Sequence, residues 1–479
     1  MQGPQRRPFR VHSTGRSAVS LGIFRALFEK AGTILVDMNQ QSMFSTDQLN
    51  LVSPVKPNAG APAEPRLRRP QRQQVLLRPV SLEQLLPPDH SARIVWAAVQ
   101  LLDWSGFEQG IAARGETAGR AATDPRVLAT LWLQGMIDNV GSGRQLEELC
   151  QNHATYQWIC GGLSINYHTL NDFRTGHPQA LDQLFTQVLG RLMYKGLVSI
   201  NTVTQDSLPL RASAGARSFA TRDTLEKKLA EAENHVKEMG RLADESPAQA
   251  AERQRAAQER AANRRHEQVK DAMEELTKIE EAKARQKEKP SKHSPAKAST
   301  TDPESRMERM PDGGRRPAHK LQLAADILSR AIVGVAVGFN DKEEGGKMRQ
   351  QVEQRFGAKI ATHIYDGNYV KLQEIENADA QGTIILAPVP KPKKEGQDRY
   401  APRRDDSEAV ARWRQRMNTP EARQMYGARA STSETVNADL KTHRGLSRLL
   451  VRGAGKVLSA ALWSALAYNL LRFGAVLIG

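Results

Sequence analysis

Apolar residues recur at helical spacing at Ile94, Val95, Ala98, Val99 and Leu102, which predicts an amphipathic helix at that point of the chain. Asp124-Pro125 supplies a capping acid and a first-turn proline ahead of Val127, Leu128, Leu131, Trp132 and Met136, predicting a second helix. The turn Gly141-Ser142-Gly143 opens a third over Arg144–Leu149, and a fourth covers Asn166–Arg174 after Gly161-Gly162. Short helices broken by glycine turns, with Arg and Asn on their polar faces, suit helix-turn-helix contact with DNA; the same pattern also serves plain packing. Residues 76–197 are therefore read as an all-helical N-terminal domain with DNA binding as its expected role.

The period then changes. Val198–Gln205 reads as a strand ending at Asp206, where it meets a loop. Leu321–Ala325 and Ile332–Val337 read as two strands joined by a turn over Asp326–Arg330. Lys359–Tyr365 is a strand ending at Asp366-Gly367-Asn368, and Thr383–Ala387 is another, stopped by Pro388. Helical patterns cover Lys347–Phe356, Asp405–Met417, Glu434–Lys441 and Val451–Phe473. The alternation predicts an α/β domain, split into a first part at 198–221 and a second at 301–479.

Between those parts, residues 222–300 differ in kind. Leu225, Leu229, Ala232, Val236, Met239 and Ala243 step by four and three, which is a heptad seam. Ser246-Pro247 breaks the helix and restarts it, and Val269, Met273 and Leu276 carry the same spacing on the second arm. An antiparallel helical hairpin inserted into the α/β domain is expected. The Lys-, Pro- and Ser-rich stretch from Lys283 to Lys297 is expected to be disordered. Residues 1–75, interrupted by Pro54, Pro57, Pro62 and Pro65 and carrying Arg66-Leu67-Arg68-Arg69, read as a basic disordered tail.

The chain has 479 residues and a formal net charge of +16, a balance that favours a polyanionic partner because neutralised phosphates release condensed counterions. Only Cys150 and Cys160 are present, so a disulfide framework is excluded, and no second ligand pair follows them at zinc-finger spacing. Buried free thiols are expected. The basic N-terminus lacks the apolar run of a secretory signal. Val457–Ile478 approaches membrane-spanning length, but it contains Ser459, Ser464, Asn469 and Arg472; a buried terminal helix, no membrane contact and a cytoplasmic location are expected.

Asp206 and Asp366, each placed at a strand end, and Glu434, placed at a helix start, are the carboxylates that a paired divalent-metal site would use. Hard Mg²⁺ takes carboxylate oxygens, and two such ions can activate an attacking oxygen and stabilise a leaving one. Taken singly, each residue also has an ordinary role as a turn residue, a cap or a dipole-favoured acid. Pattern and spacing do not select these three from the other acidic residues.

A family resemblance does select them. Tyr426-Gly427-Ala428-Arg429, then Glu434, then Lys441 resembles the Tyr-Arg-Glu-Lys signature of bacterial DDE insertion-sequence transposases, with four residues between Arg429 and Glu434 where the usual form has three. Asp366-Gly367-Asn368-Tyr369 resembles the second-Asp motif of that family, Asp-x-x-Tyr. Gln205-Asp206-Ser207 followed by Arg211-Ala212-Ser213-Ala214 resembles the first-Asp motif, which more often reads Asp-Gly-Thr. Further matches are similar to the insertion-sequence group numbered eleven-eighty-two: His168-Thr169-Leu170 with Phe173-Arg174, Asp302-Pro303-Glu304-Ser305-Arg306, Arg444-Gly445-Leu446, Leu450-Val451-Arg452-Gly453 and Ala467-Tyr468-Asn469-Leu470. The resemblance runs in order from about residue 75 onward.

What the resemblance implies is an RNase H-like mixed-sheet core with Asp206, Asp366 and Glu434 as catalytic acids holding two Mg²⁺ (or Mn²⁺) ions. The gaps between them are 160 and 68 residues, the first widened by the inserted hairpin. Lys441, two turns after Glu434, and Arg429 would hold DNA phosphates. Arg444, Arg174 and Tyr369 are further expected DNA contacts, although core packing accounts equally well for Tyr369. The implied partners are double-stranded DNA, as terminal inverted repeats and target, and further copies of the chain in a homo-oligomeric DNA complex. The alternative is a catalytically degenerate relative that binds DNA as a scaffold.

Overall fold

A computed structural model of the protein describes residues 81–115, 121–245, 249–285, 295–310, 312–392 and 396–479, together with Gln73. The expected tail at 1–75, apart from Gln73, the break at Ser246-Pro247 and most of the expected linker (286–294) lie outside the described residues. The helical segment comprises α1 (Ser91–Gln100), α2 (Ser105–Glu108), α3 (Pro125–Ile137), α4 (Gly143–Asn152), α5 (Ala154–Cys160), α6 (Tyr167–Gly176) and α7 (Pro178–Tyr194). Its starts follow the local chemistry. The Asp124 carboxylate accepts from the Arg126 N–H at 2.8 Å with Pro125 in the first turn, and Asn166 Oδ1 accepts from the Thr169 N–H at 2.9 Å.

The second segment runs β1 (Thr202–Arg211), β2 (Phe219–Ala220), α8 (Arg222–Glu245), α9 (Gln249–Arg285), β3 (Ala298–Ser299), β4 (Arg306–Arg309), β5 (Arg315–Asp326) and β6 (Ile332–Val337). It continues with α10 (Asp341–Phe356), β7 (Thr362–Ile364), α11 (Leu372–Ala380), β8 (Ile384–Leu386), α12 (Glu408–Arg416), α13 (Pro420–His443) and α14 (Ala454–Ile478). Helix and sheet are thus mixed, as the alternating patterns predict. The main sheet has the order β4-β5-β1-β7-β8, and β6 also pairs with β5. β1 lies antiparallel to β5 and parallel to β7, β7 parallel to β8, and β5 antiparallel to β6.

The β1 strand is longer than expected. The strand expected to stop at Asp206 runs on through Pro209, and β5 pairs with β1 without interruption from Val203 to Arg211. The Ala212 N–H donates to the Pro317 carbonyl. By alternation the nitrogen of Pro209 therefore points away from β5, to the side where β7 pairs only with Thr202–Thr204, and no ladder bond is lost. Asp206 accordingly sits inside β1 and not at its end.

α8 and α9 run antiparallel: Arg222 pairs with Glu280, and His266 Nε2 lies 3.8 Å from Glu233. Leu225, Val269, Ala272 and Leu276 form their own apolar cluster with Ala220 and Ala298 of the β2–β3 ribbon. The insert is therefore anchored where it leaves the sheet.

One hydrophobic core runs through both segments. It joins Trp132 and Leu131 of α3, Phe185 of α7, Val203 of β1, Val333 of β6 and Trp463 of α14. α14 lies against α1, α3, α7 and β6. Its composition and 25-residue length would suit a membrane span, but fifteen of its residues are buried inside the protein. Its buried polar residues Ser464 and Asn469 are bonded internally. Asn469 Nδ2 donates to the Ile332 carbonyl at 2.9 Å while its Oδ1 accepts from the Ile332 N–H at 3.0 Å. Cys160 is buried and Cys150 half-buried, and both are free.

Candidate active site

β1 and β7 run side by side in the same direction, with Thr204 opposite Ile364. Asp206 and Asp366 each stand two residues beyond that pair, and the backbone at Asp366 is still extended (φ −77°, ψ 174°). The two carboxylates therefore leave neighbouring strands at the same level. β7 ends there and β1 continues along β5, so both acids lie at the carboxyl end of the parallel pair, the edge at which open α/β sheets form their ligand crevice. The Asp366 carboxylate accepts from the Asn368 N–H at 2.8 Å and the Asn368 carboxamide at 3.2 Å, which fixes the tight turn over Gly367–Tyr369.

α13 crosses this edge. The Ser433 and Thr204 hydroxyls hydrogen-bond at 2.6 Å, the Asn437 carboxamide donates to Asp206 Oδ2 at 3.3 Å, and Arg429 Nη1 lies 3.5 Å from the same oxygen. Positions 429, 433 and 437 form one i, i+4 stripe, so the face of α13 turned to β1 is set by these three. Glu434 is inside this 24-residue helix, not at its start, because Thr419 and Pro420 cap and open the helix four turns earlier. It is exposed and adjoins Asn437 at i+3, and Lys441 follows two turns on along the same face.

Burial holds the Asp206 carboxyl above its ordinary value of 3.8, and the charges of Asp366 and Asp341 push the same way; the Ser207 N–H and the Arg429 guanidinium oppose them. Arg429 Nε and Nη1 are buried with no hydrogen-bond partner, so the guanidinium answers this acid by charge alone. The oxygen-rich donors around Asp206, two carboxylates and a carboxamide, suit a hard divalent cation. Among the described residues, however, no three His, Cys, Asp or Glu side chains stand close enough together to hold a metal ion. The structure brings Asp206 and Asp366 to one crevice and leaves Glu434 on the helix beside it.

Asp341, which carries no motif in the sequence, stands at the start of α10. Its carboxylate accepts from Lys320 Nζ at 2.5 Å and from the Gln322 carboxamide at 2.9 Å. The helix begins six residues before the expected Lys347, so Asp341 is one of three acids in its first turn, where acids also answer the helix dipole. Tyr369 is buried and its hydroxyl donates to Gln322; burial raises the phenol far above its ordinary value, so it stays a donor. Tyr369 thus holds the Asp366 turn against β5 and is closed to DNA. Arg444 is likewise buried, bonded to Asp439 at 2.8 Å and to the Ile137 carbonyl at 3.1 Å, so it ties α13 to α3 and offers no free guanidinium. Arg174 is buried beside the Gly141 carbonyl, at 2.8 Å.

Residues 80–176 match the family described as Transposase domain (DUF772), and residues 391–473 match the family described as Transposase DDE domain. The first match covers α1 to α6; the second covers α12, α13 and most of α14, with Arg429, Glu434 and Lys441 inside it. Asp206 and Asp366 lie outside both. No curated protein and no solved structure matches the chain. The chain thus carries a transposase domain followed by a transposase DDE domain, which support a DDE insertion-sequence transposase; enzymes of that type act on DNA and generally use divalent metal ions.

Proposed function

We propose that the protein is a cut-and-paste transposase that cleaves and joins DNA at the terminal inverted repeats of an insertion sequence, with Asp206, Asp366 and Glu434 as its catalytic acids. The observation that carries this reading is the level placement of Asp206 and Asp366 on adjacent parallel strands, with the Glu434 helix hydrogen-bonded to β1 beside them. The strand order, with parallel β1, β7 and β8, β5 antiparallel on β1 and β6 antiparallel on β5, supports an RNase H-like core. Asp206 and Asp366 would hold magnesium at the crevice, with Glu434 completing the set once α13 and the acids adjust around the cation. Bound there, two such ions would activate the attacking oxygen and stabilise the leaving one.

The chain's own residues define the rest. Arg429 offsets carboxylate charge beside Asp206, Asn437 orients that carboxylate, and Asn368 orients Asp366. Lys441, half-buried along the Glu434 face, would neutralise a phosphate of the strand entering the crevice. The helical segment 76–197 would bind the repeats, aided by the α8–α9 hairpin, in a homo-oligomeric complex on bacterial DNA in the cytoplasm.

The test is magnesium-dependent cleavage of DNA bearing the repeat ends. The wild type should cut, and Asp366→Asn should bind the same DNA without cutting it. Cleavage by purified Asp366→Asn would show the assignment to be wrong. The separation of Glu434 from a closed three-acid cluster favours a second reading, a degenerate DNA-binding scaffold. Repeat-specific binding without cleavage by the wild type would establish that reading.

A further inference from the structure

A cavity of about 500 Å³ opens between the helical segment and the start of α14. Its wall carries Arg144, Arg174, Arg452 and Lys456 against a single acid, Asp172. Among the described residues none of the four cations has a carboxylate partner. Arg144 lies over the Tyr167 ring at 4.9 Å, and Arg452 Nε donates to the Ser213 carbonyl at 3.0 Å, leaving both charges unanswered.

Arg174 is the most telling of them. It is 3% exposed, stacked on the Trp132 ring at 4.6 Å, and its Nε is buried with no hydrogen-bond partner. A buried guanidinium without a counter-ion is costly, and a site that receives an anion removes the cost.

The backbone around it is built for close approach. α4 begins at this cavity, with Ser142 as its cap and the free N–H groups of its first turn at the rim. A Cβ at Gly141 would lie 2.7 Å from the Gly445 carbonyl oxygen, and one at Gly143 would run into the Asn171 carboxamide. The turn is pressed tightly enough that only glycine fits, which holds the helix start beside Arg174.

We propose that this cavity is a DNA-backbone site that seats a phosphodiester between the start of α4 and the Arg452–Lys456 segment. It shares no wall residue with the acidic crevice, and it joins the two family-matched parts of the chain around one strand. The inference rests on the protein acting on DNA as proposed above, and it names where the non-reacting backbone is gripped.

The test uses the full chain without divalent metal, measuring affinity for a repeat-bearing duplex and for random duplex between 50 and 200 mM salt. Arg452→Gln/Lys456→Gln changes two exposed residues and should preserve the fold. Expected is a loss of about 10-fold or more on both duplexes at 100 mM salt. The slope of log affinity against log salt should shrink by about 0.9 for each phosphate that is no longer neutralised. An unchanged slope and affinity, with the wild type still binding DNA, overturns this site and leaves the proposed function standing. No DNA binding by the wild type overturns the proposed function itself. A melting temperature that inorganic phosphate raises in the wild type but not in the variant, with DNA binding equal in the two, assigns the cavity to free phosphate and also overturns the proposal. Arg174→Lys, checked for fold by circular dichroism, should lower affinity in the same direction.

Discussion

Thr204 Oγ1 and Ser433 Oγ share a buried hydrogen bond at 2.6 Å that joins positions 229 residues apart. It pins the middle of α13 to β1 two residues before Asp206, so the helix carrying Glu434 takes its position from the strand carrying the first acid. Thr204→Val keeps the shape and removes one partner, leaving the Ser433 hydroxyl buried and unpaired. A loss of about 1–3 kcal/mol in urea unfolding is expected, with DNA affinity unchanged. Replacing both by Val and Ala should recover part of that loss.

Asp206 is held above its ordinary acidity by burial, and Asp366 and Asp341 add to the effect. A carboxyl raised in the folded state contributes its full stability below the unfolded value of 3.8 and loses it as pH rises through the folded value. At neutral pH the ionised group therefore works against the fold. Asp206→Asn is expected to raise the melting temperature by roughly 1–3 °C at pH 7 while abolishing cleavage, with the gain shrinking towards pH 4. Scanning calorimetry at the two pH values measures it.

Magnesium should relieve the same strain by a different route. At millimolar concentration it is expected to raise the melting temperature of the wild type and to do less in Asp366→Asn, because a cation bound to the folded state stabilises by mass action. Equal shifts in the two proteins would place the cation elsewhere.

His363 lies inside β7, fully buried, with neither ring nitrogen bonded. Burial drives it down to about 3 from 6.5, so it is neutral in the fold and gains a proton on unfolding. Its contribution is complete above pH 6.5 and is lost progressively as pH falls towards 3. At about pH 5 that loss is about 2 kcal/mol. His363→Phe should flatten the unfolding profile between pH 7 and pH 5.

Glu304 Oε2 accepts from the Ala454 N–H at 2.7 Å, and Asp302 Oδ1 accepts from Gly453 at 3.1 Å while its other oxygen meets His319 at 2.8 Å. Two acids from before β4 therefore cap α14 across the molecule. Glu304→Ala should cost about 1 kcal/mol and Asp302→Ala about 3 kcal/mol or more, since the latter also orphans a buried histidine. Chemical denaturation distinguishes them.

Much of this was legible in sequence where local chemistry decides the structure. Asp124-Pro125 and Asn166 start their helices as their side chains dictate, and Leu225 and Leu229 of the expected seam cluster with Val269 and Leu276. What depended on distant partners was not. Asp206 looks like a strand end until β5 is known to pair past it as far as Arg211. Glu434 looks like a helix start because Ser431-Thr432-Ser433 imitates a cap, whereas the helix opens at Pro420. Asp341 has no motif; only folding sets it near Asp206. Arg444 reads as a free cation, yet Asp439 and the end of α3 claim it.

α14 lies C-terminal to every element it packs against, so the ribosome makes α1, α3, α7 and β6 before their common partner exists. Until that helix emerges, the apolar faces around Trp132, Phe185 and Val333 are open to solvent and to chaperones. Assembly of this core therefore waits for α14. A nascent chain halted before Gly453 would already contain all three acids and still lack the spine that fixes the sheet beneath them.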